Sequence, residues 1–200
     1  MLADALIIGG GYLLGSMPFG YWVVRVFRHE DVREVGSGNI GTTNVWRTYG
    51  RRLGIPVVLL DMLKGFVPAL LGTLLVAHWV GIVAGAAAMV GHWRPLFLRF
   101  AKGGKTVATY GGAFFGVAPV VAACGLGVWL VVFLSLRYAS VASMVAAASL
   151  PVIAYAFGLP WEVVAFAGVA AVAVVVLHRQ NIGRLFRGTE NRFQLRPRTR

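Results

Sequence analysis

Cysteine is nearly absent from this chain, and negative charge is scarce. The lone thiol, Cys124, sits in an apolar run, so neither a disulfide framework nor a thiolate metal site can be built. Seven Asp and Glu stand against 19 Lys and Arg, and charged residues make up only 13% of 200 positions, against 58% hydrophobic. So little charge cannot cover a soluble domain, and a mean hydropathy of +0.74 places the chain among polytopic membrane proteins. No His, Asp, Glu or Cys cluster has metal-ligand spacing, so we expect no catalytic metal and no other cofactor. The N-terminus lacks a basic region and a small-residue cleavage site, and Leu2–Phe27 therefore reads as a retained span rather than a signal peptide. No internal repeat is evident, so nothing suggests inverted halves.

What is present is a series of apolar runs near the ~20 residues that cross a bilayer as helix. The first is Leu2–Phe27, interrupted by Gly15-Ser16-Met17-Pro18, and the second runs from about Ile55 to His78-Trp79. A third, from Val80 to about Gly91, meets the break His92-Trp93-Arg94-Pro95, with Leu96–Phe100 beyond it. A short fourth covers about Thr106–Gly116, and Val120–Leu136, Val141–Phe157 and Val163–Leu177 complete the set. The pattern predicts one all-α transmembrane domain over residues 1–200 with about seven spans, or five if segments three and four do not both cross.

Charge placement tests that topology, because Lys and Arg accumulate in cytoplasmic loops. With the N-terminus outside, 17 of the 19 basic residues fall in the inside regions 28–54, 92–105, 137–140 and 178–200; Arg25 and Lys64 lie within spans. Five or seven spans both satisfy this and put the C-terminus in the cytoplasm. The net charge of +12 thus follows from topology. We expect attraction to anionic membrane lipid and no nucleic-acid binding.

Three polar stretches stand out from this background. Gly36-Ser37-Gly38-Asn39-Ile40-Gly41-Thr42-Thr43-Asn44-Val45-Trp46-Arg47 fits neither helical nor strand periodicity and reads as a turn-rich loop. Uncrowded backbone N–H groups and the Arg47 fork suit an anion, although a plain polar connector has the same look. Lys102-Gly103-Gly104-Lys105 before Thr106 is not a nucleotide P-loop, since Arg99 stands where the first glycine belongs, but two glycines between lysines at a helix start suit a phosphate. Ordinary basic flanking of a span is the competing reading. In the third stretch, spacing of three puts His178, Asn181 and Arg184 on one face if the helix continues. His92 stands alone and reads as an interfacial anchor. Within the second span Asp61 and Lys64 share a face and can pair, and ionisable groups at that depth face a partner or a cavity.

Together these pieces resemble the bacterial acyl-phosphate:glycerol-3-phosphate acyltransferase family, the integral membrane PlsY enzymes. The resemblance rests on Gly15-Ser16-Met17-Pro18-Phe19-Gly20, Gly36 to Gly41 with Thr43-Asn44 and Arg47, Asp61 to Gly65, and Gly91-His92 with Pro95. It continues through Gly103-Gly104-Lys105, Val107-Ala108-Thr109, Arg137-Tyr138, Ser140, Ser143, His178, Asn181, Arg184-Leu185, Gly188 and Glu190. It implies a seven-span fold in the cell (inner) membrane and a cytoplasmic active site. The implied reaction moves an acyl group from acyl phosphate to the 1-hydroxyl of glycerol 3-phosphate, yielding lysophosphatidate and inorganic phosphate for phospholipid synthesis. Carried over by position, Ser37, Lys105, His178 and Asn181 become catalytic residues, and Gly38, Asn39, Asn44, Arg47, Lys64, His92, Gly103, Gly104 and Ser143 become substrate-binding ones. Glu190 is read as a structural residue that holds the basic tail. Thr42 and Thr106 depart from the Ala and Gly expected there, and Ala101 is an extra residue before the second turn.

The chemistry agrees with the inventory. Acyl phosphate is already activated, which suits a chain without a Ser-His-Asp or Cys-His arrangement. Catalysis then comes from holding the hydroxyl near the carbonyl and stabilising developing charge, with the proton passing either to the substrate's phosphate or to His178. A transporter for organic phosphates is the rival class; it explains Asp61 and Lys64 but not three anion-type motifs on one side.

Overall fold

The computed structural model describes residues 1–193. Arg196, Arg198 and Arg200 of the basic tail lie outside the described residues. Among these residues ten α-helices follow one another: α1 (Leu2–Gly15), α2 (Phe19–Arg28), α3 (Thr42–Tyr49), α4 (Arg51–Leu75), α5 (His78–Trp93), α6 (Val107–Val117), α7 (Pro119–Leu136), α8 (Ala139–Ala156), α9 (Trp161–Leu177) and α10 (Arg179–Phe186). Among the described residues there is no strand, as expected of an all-α membrane protein.

Among the described residues, four stretches are long and apolar enough to cross a membrane: Leu2–Arg28, Arg51–Leu75, Pro119–Leu136 and Ala139–Ala156. Counting α9 with α10, which are bent by 55°, makes five. Seven spans require α5 and α6 to cross as well, and the 11 residues of α6 rise only ~17 Å against a ~30 Å hydrocarbon core. The second span starts earlier and stops sooner than hydropathy suggests, since α4 ends at Leu75 and α5 begins at His78.

Helix α4 is the hub, packing against α1, α3, α5 and α6, while α7, α8 and α9 pack in succession. Gly65 lets α4 and α6 touch, because a Cβ there would fall on the backbone carbonyl of Thr109. From α6, Tyr110 and Phe114 meet Phe166 of α9: Phe114 stacks on Phe166 at 5.4 Å and Tyr110 lies edge-on to both. The buried Tyr110 hydroxyl donates to the Ala167 carbonyl at 2.9 Å, which satisfies the one polar atom in that cluster. Outward faces carry exposed Leu and Val, among them Leu6, Leu59, Leu134 and Val172, as a lipid-facing surface requires.

The polar stretch 36–47 is only half a loop. From Thr42 it winds into α3, whose Asn44 and Val45 turn inward; Val45 joins Val24, Val32, Ile40 and Val57 in a second small core. Packing on α4 and α2 overrides the weak local helical signal.

Candidate functional site

The first stretch is folded by its own asparagines. Gly36 and Gly38 adopt φ of +63° and +66°, left-handed values open to glycine at no steric cost. Asn44 Oδ1 accepts the Ser37 N–H at 2.9 Å, and its Nδ2 donates to the Val35 carbonyl at 3.0 Å, so the Ser37 backbone is fixed by α3. Asn39 Oδ1 accepts the Gly41 N–H at 2.8 Å while its Nδ2 donates to the Gly103 carbonyl at 3.3 Å. That second bond ties the first polar stretch to the Lys-Gly-Gly-Lys turn.

The turn itself hangs on the end of α5. Gly103 N–H donates to the Trp93 carbonyl at 2.9 Å and Gly104 N–H to that of His92 at 3.0 Å, so neither amide is left for an anion. A Cβ on Gly104 would fall inside the His92 imidazole, so the ring is the floor of the turn. Beneath it, His92 Nδ1 lies 3.7 Å from Asp61 Oδ1, and Asp61 pairs with Lys64 at 2.8 Å. Lys64 is 1% exposed and also donates to the Met17 carbonyl at 3.1 Å, within the α1–α2 break. Its ammonium is thus occupied by Asp61 and the backbone. Thr106, which opens α6, has φ +63° and a buried hydroxyl without a partner among the described residues.

His178 stands at the α9–α10 bend, where its Nδ1 meets the Val174 carbonyl at 2.8 Å. A carbonyl only accepts, so Nδ1 carries the proton and Nε2 presents a lone pair. Asn181 and Arg184 follow on α10 and both reach Glu190: Asn181 Nδ2 and Ser140 Oγ each donate to Oε1 at 2.7 Å, and Arg184 Nε to Oε2 at 2.7 Å. Asn181 Oδ1 in turn accepts a hydrogen bond from Lys105 Nζ. Burial alone would raise the Glu190 carboxyl, but these three hydrogen bonds and the Arg184 charge hold it below the usual carboxylate range. Burial, with Arg184, Lys102 and Arg47 nearby, pulls the Lys105 ammonium down to about 8 against the opposing pull of Glu190.

All three motifs meet in one cavity of about 550 Å³. Ser37, Asn39, Asn44, Arg47, His92, Lys105, His178, Asn181 and Ser143 line it, and so does Glu190. Its far part is apolar, bounded by Met62, Phe115, Leu126, Leu130 and Leu150 from α4, α6, α7 and α8. Gly104 lines a smaller basin of about 150 Å³ with Arg94, Lys102, Lys105 and Arg179. Gly38, Gly103 and Lys64 border neither space, and serve the turns and the buried pair instead. Sequence reading passed over Trp129, gave Ser140 no part in the site, and missed the wall-forming role of Glu190. A single acid amid seven basic residues of the tail was the available signal for the last.

A family model described as glycerol-3-phosphate acyltransferase matches residues 5–188. A glycerol-3-phosphate acyltransferase of Desulforudis audaxviator is 43% identical over 195 residues, covering 98% of both chains, and one of Aquifex aeolicus is 44% identical over 91% of this chain and 95% of its own. Among solved structures, PlsY (YgiH), an integral membrane glycerol 3-phosphate acyltransferase, in its glycerol 3-phosphate form superposes with a TM-score of 0.92 at 41% identity, covering 96% of each chain. The lysophosphatidic acid form of PlsY gives 0.89 at 40% identity over the same shares.

Proposed function

The chain belongs to the glycerol-3-phosphate acyltransferase family, and we propose that its donor is an acyl phosphate and its acceptor the 1-hydroxyl of glycerol 3-phosphate. The products are 1-acylglycerol 3-phosphate and inorganic phosphate. One observation carries this reading: a single cavity joins a mouth of Ser37, Arg47, Lys105, His178 and Asn181 to an apolar groove between α6, α7 and α8. A cationic mouth fits phosphate, and the groove fits a fatty chain.

The residues share the work as follows. Lys105 and Arg47 hold the two phosphates, with Ser37 and Asn181 beside them. Nε2 of His178 accepts the proton of the 1-hydroxyl as its oxygen attacks the acyl carbon. The new ester C–O bond forms, the acyl–phosphate C–O bond breaks, and the proton passes to the departing phosphate, which leaves as hydrogen phosphate. The donor is already activated, so no acyl-enzyme is needed. Positioning and charge stabilisation supply the rate. Lys64, consumed by Asp61 and Met17, braces the α1–α2 break, and His92 supports the Lys-Gly-Gly-Lys turn.

The same reading sets the chain in the cell (inner) membrane with seven spans, α5 and α6 included, its N-terminus outside and its C-terminus cytoplasmic. The gathering of Lys and Arg at the site end of the helices supports that orientation. Mass spectrometry of the lipid formed from palmitoyl phosphate and glycerol 3-phosphate tests the chemistry: 1-palmitoylglycerol 3-phosphate is expected. Product from palmitoyl-CoA at an equal rate would remove acyl phosphate as the specific donor.

A further inference from the structure

Trp129 of α7 donates its indole N–H to Ser143 Oγ of α8 at 3.1 Å, and both side chains line the cavity. An indole N–H donates and never accepts, so the serine oxygen is the acceptor and its single proton must go elsewhere. Helical serines commonly give that proton to a carbonyl of the preceding turn, as Ser135 does to Val131 at 2.8 Å and Ser149 to Ala146 at 2.9 Å. Ser143 makes no such bond and takes no other acceptor among the described residues, although it is only 7% exposed. The side left to its proton is the cavity.

The indole is itself held in place. Trp129 stacks on Phe133 at 4.7 Å and 19°, Phe133 meets Phe193 edge-on at 5.4 Å, and Phe193 meets Trp46 at 6.1 Å. Phe193 is anchored through its N–H to the Arg137 carbonyl at 2.7 Å. These four rings form a file along the cavity wall that fixes the plane of the indole and hence the direction of its N–H.

We propose that Trp129 is a positioning residue for acyl transfer, locking Ser143 as a hydrogen-bond donor toward the oxygen that gains negative charge at the reacting carbonyl. The inference rests on the acyl-transfer reading above. The wall of the groove thereby orients a donor at its mouth. Donors set in advance toward developing charge are among the strongest contributors to turnover.

A double-mutant cycle on phosphate release from palmitoyl phosphate and glycerol 3-phosphate tests this, with kcat and KM measured separately. Ser143→Ala is expected to lower kcat on the order of 100-fold, and Trp129→Phe about tenfold, each with little change in KM. In the Ser143→Ala background, Trp129→Phe should change kcat no further. Replacement of Trp129 by 3-benzothienylalanine keeps the ring and its stacking but removes the N–H, and must lose as much as Trp129→Phe; it also carries the test if the Phe variant fails to fold. Wild-type kcat in the benzothienyl protein, or the same fold-loss from Trp129→Phe with and without Ser143, would overturn the inference. A wild-type protein that makes no lysophosphatidate would instead bring down the acyl-transfer reading beneath it.

Discussion

Glu190 decides which way Asn181 faces. A carboxylate only accepts, so the bond of 2.7 Å to Glu190 Oε1 must come from the Asn181 amide nitrogen, and the amide oxygen is left to Lys105. The acid nine residues beyond Asn181 thus holds the lysine that the proposed mechanism places on phosphate.

Glu190→Gln keeps the size of the side chain but lets its amide present either atom to Asn181. We expect kcat to fall about tenfold, the worth of one oriented hydrogen bond. A second signature is its acid limb. Because the folded protein holds the Glu190 carboxyl below its ordinary range, the stabilisation is full above the unfolded pKa and is lost as pH falls through the folded one. Wild type should show that loss in acid melts and Glu190→Gln should not. Coincident melts would contradict the assignment.

Lys105 should impose an alkaline limit on substrate binding. Its ammonium, drawn down to about 8, loses its charge as pH rises through that value, and a phosphate dianion then loses its partner. KM should climb above about pH 8, while Lys105→Arg, charged throughout, should show a flat KM to about pH 10. A flat wild-type profile would mean that Lys105 does not meet phosphate.

His178→Ala is expected to lower kcat on the order of 100-fold or more, as the loss of a general base does. A drop of only a few-fold would route the proton directly from the hydroxyl to the departing phosphate. KM should move little in either case.

Thr106→Gly should stabilise the protein. A β-branched residue at φ +63° is strained by ~1–2 kcal/mol, part of which the greater freedom of glycine in the unfolded chain offsets. We expect a net gain of about 1 kcal/mol and a melting point a few degrees higher. Thr106→Ala keeps a Cβ in the same strained conformation and should gain less. A lower melting point for the glycine variant would show that the methyl group's packing outweighs the strain.

Much of this site could be read from the sequence because its chemistry is concentrated against an apolar background. Asp61 and Lys64, three apart on one face, pair at 2.8 Å as their spacing predicts. Thr106, noted as standing where glycine was expected, proves to occupy a left-handed position. Other features depend on contacts between distant segments. Asn39 and Asn44 look like substrate ligands in sequence, yet their amides are spent on Gly41, Gly103, Ser37 and Val35. The conversion of 42–49 into a helix follows from burial of Val45 against α2 and α4. The indole bond to Ser143 joins two helices whose local sequences read only as spans. Hydropathy also blurs the second and third apolar runs, where two residues, Val76 and Ala77, separate α4 from α5.

The most direct test of the central claim is phosphate release by the purified protein in lipid, given palmitoyl phosphate with and without glycerol 3-phosphate. Release that requires glycerol 3-phosphate, in a one-to-one ratio with lysophosphatidate formed, is the predicted result. Release at the same rate without the acceptor, or lysophosphatidate formed with no phosphate set free, would contradict it.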